Sequence, residues 1–203
     1  NTRSSWRSDG DLDFFFSKNK IACIANIDTR QITRLLATKG AVKAAIINFG
    51  KKIDSFKIIK EEIRKWSGLN NLDLAKIVST QSKYDWNEGL WNNEKNDYSK
   101  SLSNKKYKVA CIDFGIKRNI LRNLYDNNFD SVVLNAESSY EDILSTNPDG
   151  IFLSNGPGDP FATGEYTLKT IKKLISLKIP IFGICLGHQI LSLALGAKTK
   201  KMF

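Results

Sequence analysis

The stretch Ile179-Pro180-Ile181-Phe182-Gly183-Ile184-Cys185-Leu186-Gly187-His188-Gln189-Ile190-Leu191 decides the fold of the chain. Its first half is short, apolar and β-branched, the pattern of a buried strand. From Leu186 on, the apolar run reads as a helix stopped by Gly196. Cys185 therefore stands where a strand turns sharply into a helix. Glycines at 183 and 187 frame it, as a tight turn with a strained central residue requires. Gly-x-Cys-x-Gly in that setting is the thiol version of the nucleophile elbow. A sulfur so placed projects above the sheet at the positive end of a helix. That place favours a thiolate and offers backbone N–H groups to a developing oxyanion. The competing reading of any lone cysteine is a buried core residue. It suits Cys23 in Ile21-Ala22-Cys23-Ile24 and Cys111 in Val109-Ala110-Cys111-Ile112, which lie in apolar strand-like runs without flanking glycine.

Upstream of the elbow, from Tyr107, strand and helix patterns alternate. Strands are expected at 107–112, 131–135, 150–153 and 179–184, and helices at 117–127, 140–145, 164–177 and 186–195. Such alternation means an α/β fold with a parallel sheet flanked by helices on both faces. Ligands in these sheets bind at the carboxyl ends of the strands, where Cys185 lies. The stretch Leu153-Ser154-Asn155-Gly156-Pro157-Gly158-Asp159-Pro160 follows another strand and should reach the same edge. Pro157 has no N–H, so backbone donors to an anion would come from Gly156 and Gly158. Beside an elbow thiol, the loop reads as part of an oxyanion hole. Alone, it reads equally well as a tight turn.

Residues 1–80 read as a smaller α/β unit. Strands are expected at 21–27 and 42–47. Asp28 caps a helix that ends at Gly40, and Ser55 caps another in which Phe56, Ile59, Ile63 and Trp66 share a face. Phe14-Phe15-Phe16 reads as the buried face of a short helix, with an exposed partner-binding patch as the alternative, and residues 72–78 read as one more short helix. Periodicity disappears over 81–106, a polar stretch read as the connection to the third segment, 107–203, with Trp86 and Trp91 packing it onto one domain. A further strand is expected to begin at Thr199.

The 203 residues are 41% hydrophobic and 26% charged, ordinary for a globular protein. No apolar run is long enough to span a bilayer, and the first residues do not resemble a signal peptide, so no membrane partner is expected. Three cysteines without framework spacing point to a reducing, cytoplasmic setting. The net charge of +10 comes from scattered lysines, with no aromatic-interleaved basic patch, so nucleic acid is not expected as a partner. No metal site is expected. A thiol nucleophile needs a base. The one histidine, His188, lies one turn along the elbow's own helix and is poorly placed to approach the sulfur, so it reads as packing or support.

Gly183-Ile184-Cys185-Leu186-Gly187-His188-Gln189 resembles the nucleophile motif of the class I, triad-type glutamine amidotransferases, whose fold is flavodoxin-like. Three further stretches narrow the resemblance to the small, glutamine-hydrolysing subunits of carbamoyl phosphate synthetases: Ile27-Asp28-Thr29-Arg30-Gln31-Ile32-Thr33-Arg34, Asp113-Phe114-Gly115-Ile116-Lys117-Arg118-Asn119-Ile120-Leu121, and Pro148 through Pro160. The resemblance runs over nearly the whole chain. It implies that Cys185 attacks the side-chain amide of L-glutamine to form a thioester. It also implies that the backbone N–H groups of Leu186 and the Gly156 loop hold the oxyanion, and that Gly158 and Gln189 hold the substrate. Ammonia would pass to a large partner subunit, where ATP and Mg serve carbamoyl phosphate synthesis for arginine and pyrimidines. No cofactor is expected on this chain, which has no Gly-x-x-x-x-Gly-Lys-Ser/Thr loop.

In the family the triad's His and Glu lie beyond the elbow, and a segment before the present start adds a substrate contact, so the chain reads as the middle of a longer subunit. Two other readings are a non-catalytic binding module that keeps the elbow as a relic, and a thiol hydrolase or redox protein of similar architecture.

Overall fold

The computed structural model describes residues 3–40, 42–47, 56–100 and 106–200. They fall into two units, divided between Gly68 and Leu69. In the first, carboxylate caps start the helices. Asp11 accepts from the Phe14 N–H (2.7 Å) at the head of α1 (Leu12–Lys18). Asp28 accepts from the Gln31 N–H (2.8 Å) at the head of α2 (Thr29–Lys39), as its sequence position requires. Gly40, at φ 74°, closes that helix. α3 spans Phe56–Lys65; its expected cap, Ser55, lies outside the described residues.

Three expectations fail in this unit. Residues 21–27 and 42–47 are irregular, not strands. Neither run has a ladder partner among the described residues, and an extended segment without one has nothing to hold strand geometry. Cys23 is accordingly exposed rather than a core cysteine. The Phe triplet sits on α1, but Phe14 and Phe15 are 61% and 53% exposed, so it is no buried face among the described residues.

The second unit, Leu69–Lys200, holds the sheet. Its elements run α4 (Ala75–Val78), β1 (Tyr84–Trp86), β2 (Trp91–Asn92), β3 (Asp97–Tyr98), β4 (Tyr107–Asp113), α5 (Arg118–Asp126), β5 (Phe129–Asn135), α6 (Tyr140–Leu144), β6 (Gly150–Leu153), α7 (Pro160–Ser176), β7 (Ile181–Gly183) and α8 (Leu186–Ala194). The strand order is β1-β5-β4-β6-β7, and β5, β4, β6 and β7 are all mutually parallel neighbours. The fold is thus α/β, as the alternation required. α7 starts four residues before the expected 164, because Asp159 caps it and Pro160 occupies its first position.

Period-two alternation sends side chains to two separate cores. Ala110, Ile112, Leu134, Ile151 and Leu153 face Ile171, Leu174, Leu186 and Ile190 from α7 and α8. Val109, Cys111, Val133 and Phe152 face Leu121 of α5. Cys111 is fully buried, and burial pushes its thiol pKa up to about 12. The register aligns the carboxyl ends: Asp113 lies opposite Asn135, Ile112 opposite Leu153, and Leu153 opposite Gly183.

The stretch read as a connection contributes to this unit. β1 pairs antiparallel with β5, Tyr84 opposite Val133, and Trp86 packs onto the α5 face as its aromatic character suggested. β2 and β3 form a hairpin lashed down by polar contacts. The Arg122 guanidinium lies 3.7 Å from the Tyr98 ring centroid and pairs with Glu88 at 2.6 Å. The Asp126 carboxylate accepts from the Leu90 N–H and the Ser99 hydroxyl, each at 3.0 Å. Contacts of this kind carry no hydrophobic period. The strand expected from Thr199 lies largely outside the described residues.

Candidate active site

Cys185 occupies the turn between β7 and α8 at φ 53°, ψ −112°, with its side chain exposed. Non-glycine residues seldom take a positive φ, and one that does so between a parallel strand and a helix is held there by its surroundings. The flanking glycines supply that hold. A Cβ on Gly183 would come within 2.7 Å of the Gly187 backbone, and one on Gly187 within 2.2 Å of the Leu153 carbonyl oxygen. The Gly187 N–H donates to Ser154 O and the Ile184 N–H to Leu153 O, each at 3.0 Å. The elbow is therefore fastened to the end of β6 and to the first residue of the Gly-Pro-Gly loop.

The loop in turn is fastened to the end of β4. Ser154 is fully buried; its Oγ accepts from the Phe114 N–H (2.8 Å). The Asn155 amide donates to Gly115 O (2.9 Å) and accepts from the Lys117 N–H (3.1 Å). Asp113 Oδ1 accepts from the N–H groups of Gly115 (2.8 Å) and Ile116 (2.7 Å), which shapes the turn that receives these bonds. Gly156 presses on that turn so closely that a Cβ would lie 2.1 Å from Phe114 O. Gly158 has φ +104°.

The three loops that follow β4, β6 and β7 thus meet at one edge of the sheet. Leu186 is buried with its side chain in the core, so what it offers the edge is its backbone N–H, one of the first-turn donors with no partner inside the helix. Gln189 is exposed one turn along α8, its own N–H donating to Cys185 O at 3.0 Å. His188 is also exposed, so of its two readings, packing or support, packing fails: it lies off the face that carries Leu186 and Ile190 into the core. Sequence reasoning missed Asp113, Asn155 and Asp159, the polar side chains that hold the loops. The Asp-x-Gly turn and the Asp-Pro helix start were their only local signals. Among the described residues no cluster of His, Cys, Asp and Glu could hold a metal ion, and no helix is long and apolar enough to cross a membrane.

Residues 110–203 match the family model of class I glutamine amidotransferases, and residues 1–46 match that of the carbamoyl-phosphate synthase small chain, CPSase domain. The chain is 46% identical over its whole length to a carbamoyl phosphate synthase small chain of Zymomonas mobilis, of which it covers 53%. Over 98% of its length it is 45% identical to the protein of that name in Caulobacter vibrioides and 46% to that in Escherichia coli, covering 51% and 52% of them. Over its whole length the chain is similar to carbamoyl phosphate synthase small chains. The chain spans about half the length of these relatives. The amidotransferase match begins inside β4 and takes in the three loops described above, so the matched region contains the strained cysteine and the sheet edge that carries it.

Proposed function

We propose that this chain carries the nucleophile half of a glutaminase site that supplies ammonia for carbamoyl phosphate synthesis. The observation that carries the reading is Cys185 at positive φ, hydrogen-bonded through Gly187 onto a loop with two glycines. The thiolate sulfur attacks the side-chain amide carbon of L-glutamine. The electron pair of the C=O bond moves to oxygen, where the Leu186 N–H and the Gly156 loop donate to it. Collapse of this tetrahedral species breaks the C–N bond and, with a proton delivered to nitrogen, releases ammonia and leaves a γ-glutamyl thioester. Water then cleaves the thioester to glutamate and regenerates the thiol. Gly158 and Gln189 hold the substrate. The base in this reading is a His backed by Glu, as in the family that the chain resembles. A large partner subunit in the cytoplasm takes the ammonia and uses ATP and Mg to make carbamoyl phosphate for arginine and pyrimidine synthesis. This chain itself needs no cofactor.

The test is labelling of the full-length protein by a glutamine analogue with an electrophilic carbon. One adduct, at Cys185 and blocked by excess glutamine, supports the reading. Oxidation of Cys185 by peroxide with no analogue adduct supports a redox thiol and overturns it.

A further inference from the structure

We infer that residues 71–80 are a strap that sets the position of the 156–158 loop, with Asp73 and Asp159 as its positioning residues; the inference rests on the glutaminase reading of Cys185. The loop is held near Ser154 and Asn155 by the β4 turn and by Gly187. At its other end it is held by the strap. The Asp159 N–H donates to Leu72 O (3.0 Å), and Asp159 Oδ2 accepts from the Asn71 N–H (2.9 Å). Gly158 lies so close that a Cβ would stand 2.8 Å from Leu72 O and 2.9 Å from Leu74 N.

The strap is fixed at two further places. Asp73 Oδ1 accepts from the Tyr166 hydroxyl (3.2 Å) and the Thr163 hydroxyl (3.4 Å), both on α7, and from the Lys76 N–H (3.2 Å). Burial and the Asp73 charge both raise the Tyr166 pKa, so the phenol stays a donor. Beyond α4, Thr80 donates its N–H to Asp113 Oδ2 (2.8 Å), Asn135 donates to Thr80 O (2.6 Å), and the Ala136 N–H donates to Ser79 Oγ (2.9 Å). The carboxylate that shapes the β4 turn thus also holds the strap. A Cβ on Gly115 would lie 2.9 Å from Val78 Cγ2 and 3.0 Å from Pro157 Cδ, so this turn fills the space between strap and loop. An oxyanion donor has to come within about 3 Å of its target, and a shift of about 1 Å costs on the order of a hundredfold in rate. A strap that holds the far end of the loop directly, and its near end through the β4 turn, fixes that distance.

The experiment compares Asp73→Ala, Asp73→Asn and Tyr166→Phe in the full-length protein. It reads kcat and KM for glutamine and the rate at which iodoacetamide alkylates Cys185. Asp73→Ala should lower kcat about tenfold while KM moves less than about threefold, since the loss falls on the transition state. Alkylation should hold its rate because the elbow is untouched. Tyr166→Phe should move kcat in the same direction by less. Asp73→Asn keeps an acceptor oxygen and should recover most of kcat. If Asp73→Ala does not fold, Tyr166→Phe decides. Asp73→Ala, or Tyr166→Phe where it decides, with kcat within about twofold of the unaltered protein, a rise in KM alone, or an equal loss of alkylation would overturn the strap. An unaltered protein that does not hydrolyse glutamine would instead remove the glutaminase reading, and this inference with it.

Discussion

The Leu153 carbonyl oxygen and Gly187 approach so closely that a Cβ on the glycine would sit 2.2 Å away. β6 and the elbow helix are therefore in backbone contact directly beneath Cys185. Gly187→Ala forces the helix start off the strand end. It should cut glutamine turnover on the order of a hundredfold, the scale of an ångström-size misplacement, and destabilise the fold by about 1–3 kcal/mol. Steady-state rates and a urea titration check the two parts separately.

Gly156→Ala acts on the loop instead. The new methyl would meet Phe114 O at 2.1 Å and displace a backbone donor while leaving the thiol intact. Loss of one such donor costs about 10²–10³ in turnover. The variant should be slow with glutamine yet still take the electrophilic analogue at Cys185. Loss of labelling along with turnover would show that the change reached the elbow.

The three cysteines should separate by reactivity. Cys23 and Cys185 are exposed, and Cys111 is buried. In native protein at pH 8, iodoacetamide should modify Cys23 and Cys185 and spare Cys111, as peptide mass mapping would record. The Cys111 thiol has a folded pKa of about 12 against an ordinary 9.0, so the folded state binds this proton more tightly than the unfolded state. Its contribution to stability is complete below pH 9 and is lost as pH rises from 9 toward 12. Replacing Cys111 with Ala should flatten the alkaline limb of a stability–pH curve. An unchanged limb would refute that assignment.

How far the sequence could be read follows from where each element gets its stability. β4, β5 and β6 are covered on both faces, so continuous apolar runs such as Val109-Ala110-Cys111-Ile112 reveal them. The elbow glycines follow from sterics that any strand-to-helix turn shares. β1 was invisible because three residues, Tyr84-Asp85-Trp86, are too few to show a period and owe their place to pairing with β5. Residues 21–27 misled in the opposite sense: the run is apolar enough for a strand, but propensity without a partner among the described residues makes none. At the site, Cys185 and the loop glycines were legible as a motif. Asp73, Asp113 and Asp159 were not, because what distinguishes them is donors brought from distant residues: the Tyr166 and Thr163 hydroxyls to Asp73, the Thr80 N–H to Asp113 and the Asn71 N–H to Asp159.

The central claim, that Cys185 serves to release ammonia from glutamine, is tested most directly by paired rates in the full-length protein together with the large subunit proposed as its partner. Carbamoyl phosphate synthesis is measured with glutamine and with ammonium chloride, for the unaltered protein and for Cys185→Ser. The substitution is nearly isosteric and leaves a hydroxyl without the accessible ionisation of a thiol. The account predicts that glutamine-dependent synthesis disappears and ammonia-dependent synthesis is kept. Equal loss of both activities, in a variant that remains folded and bound to its partner, would contradict it.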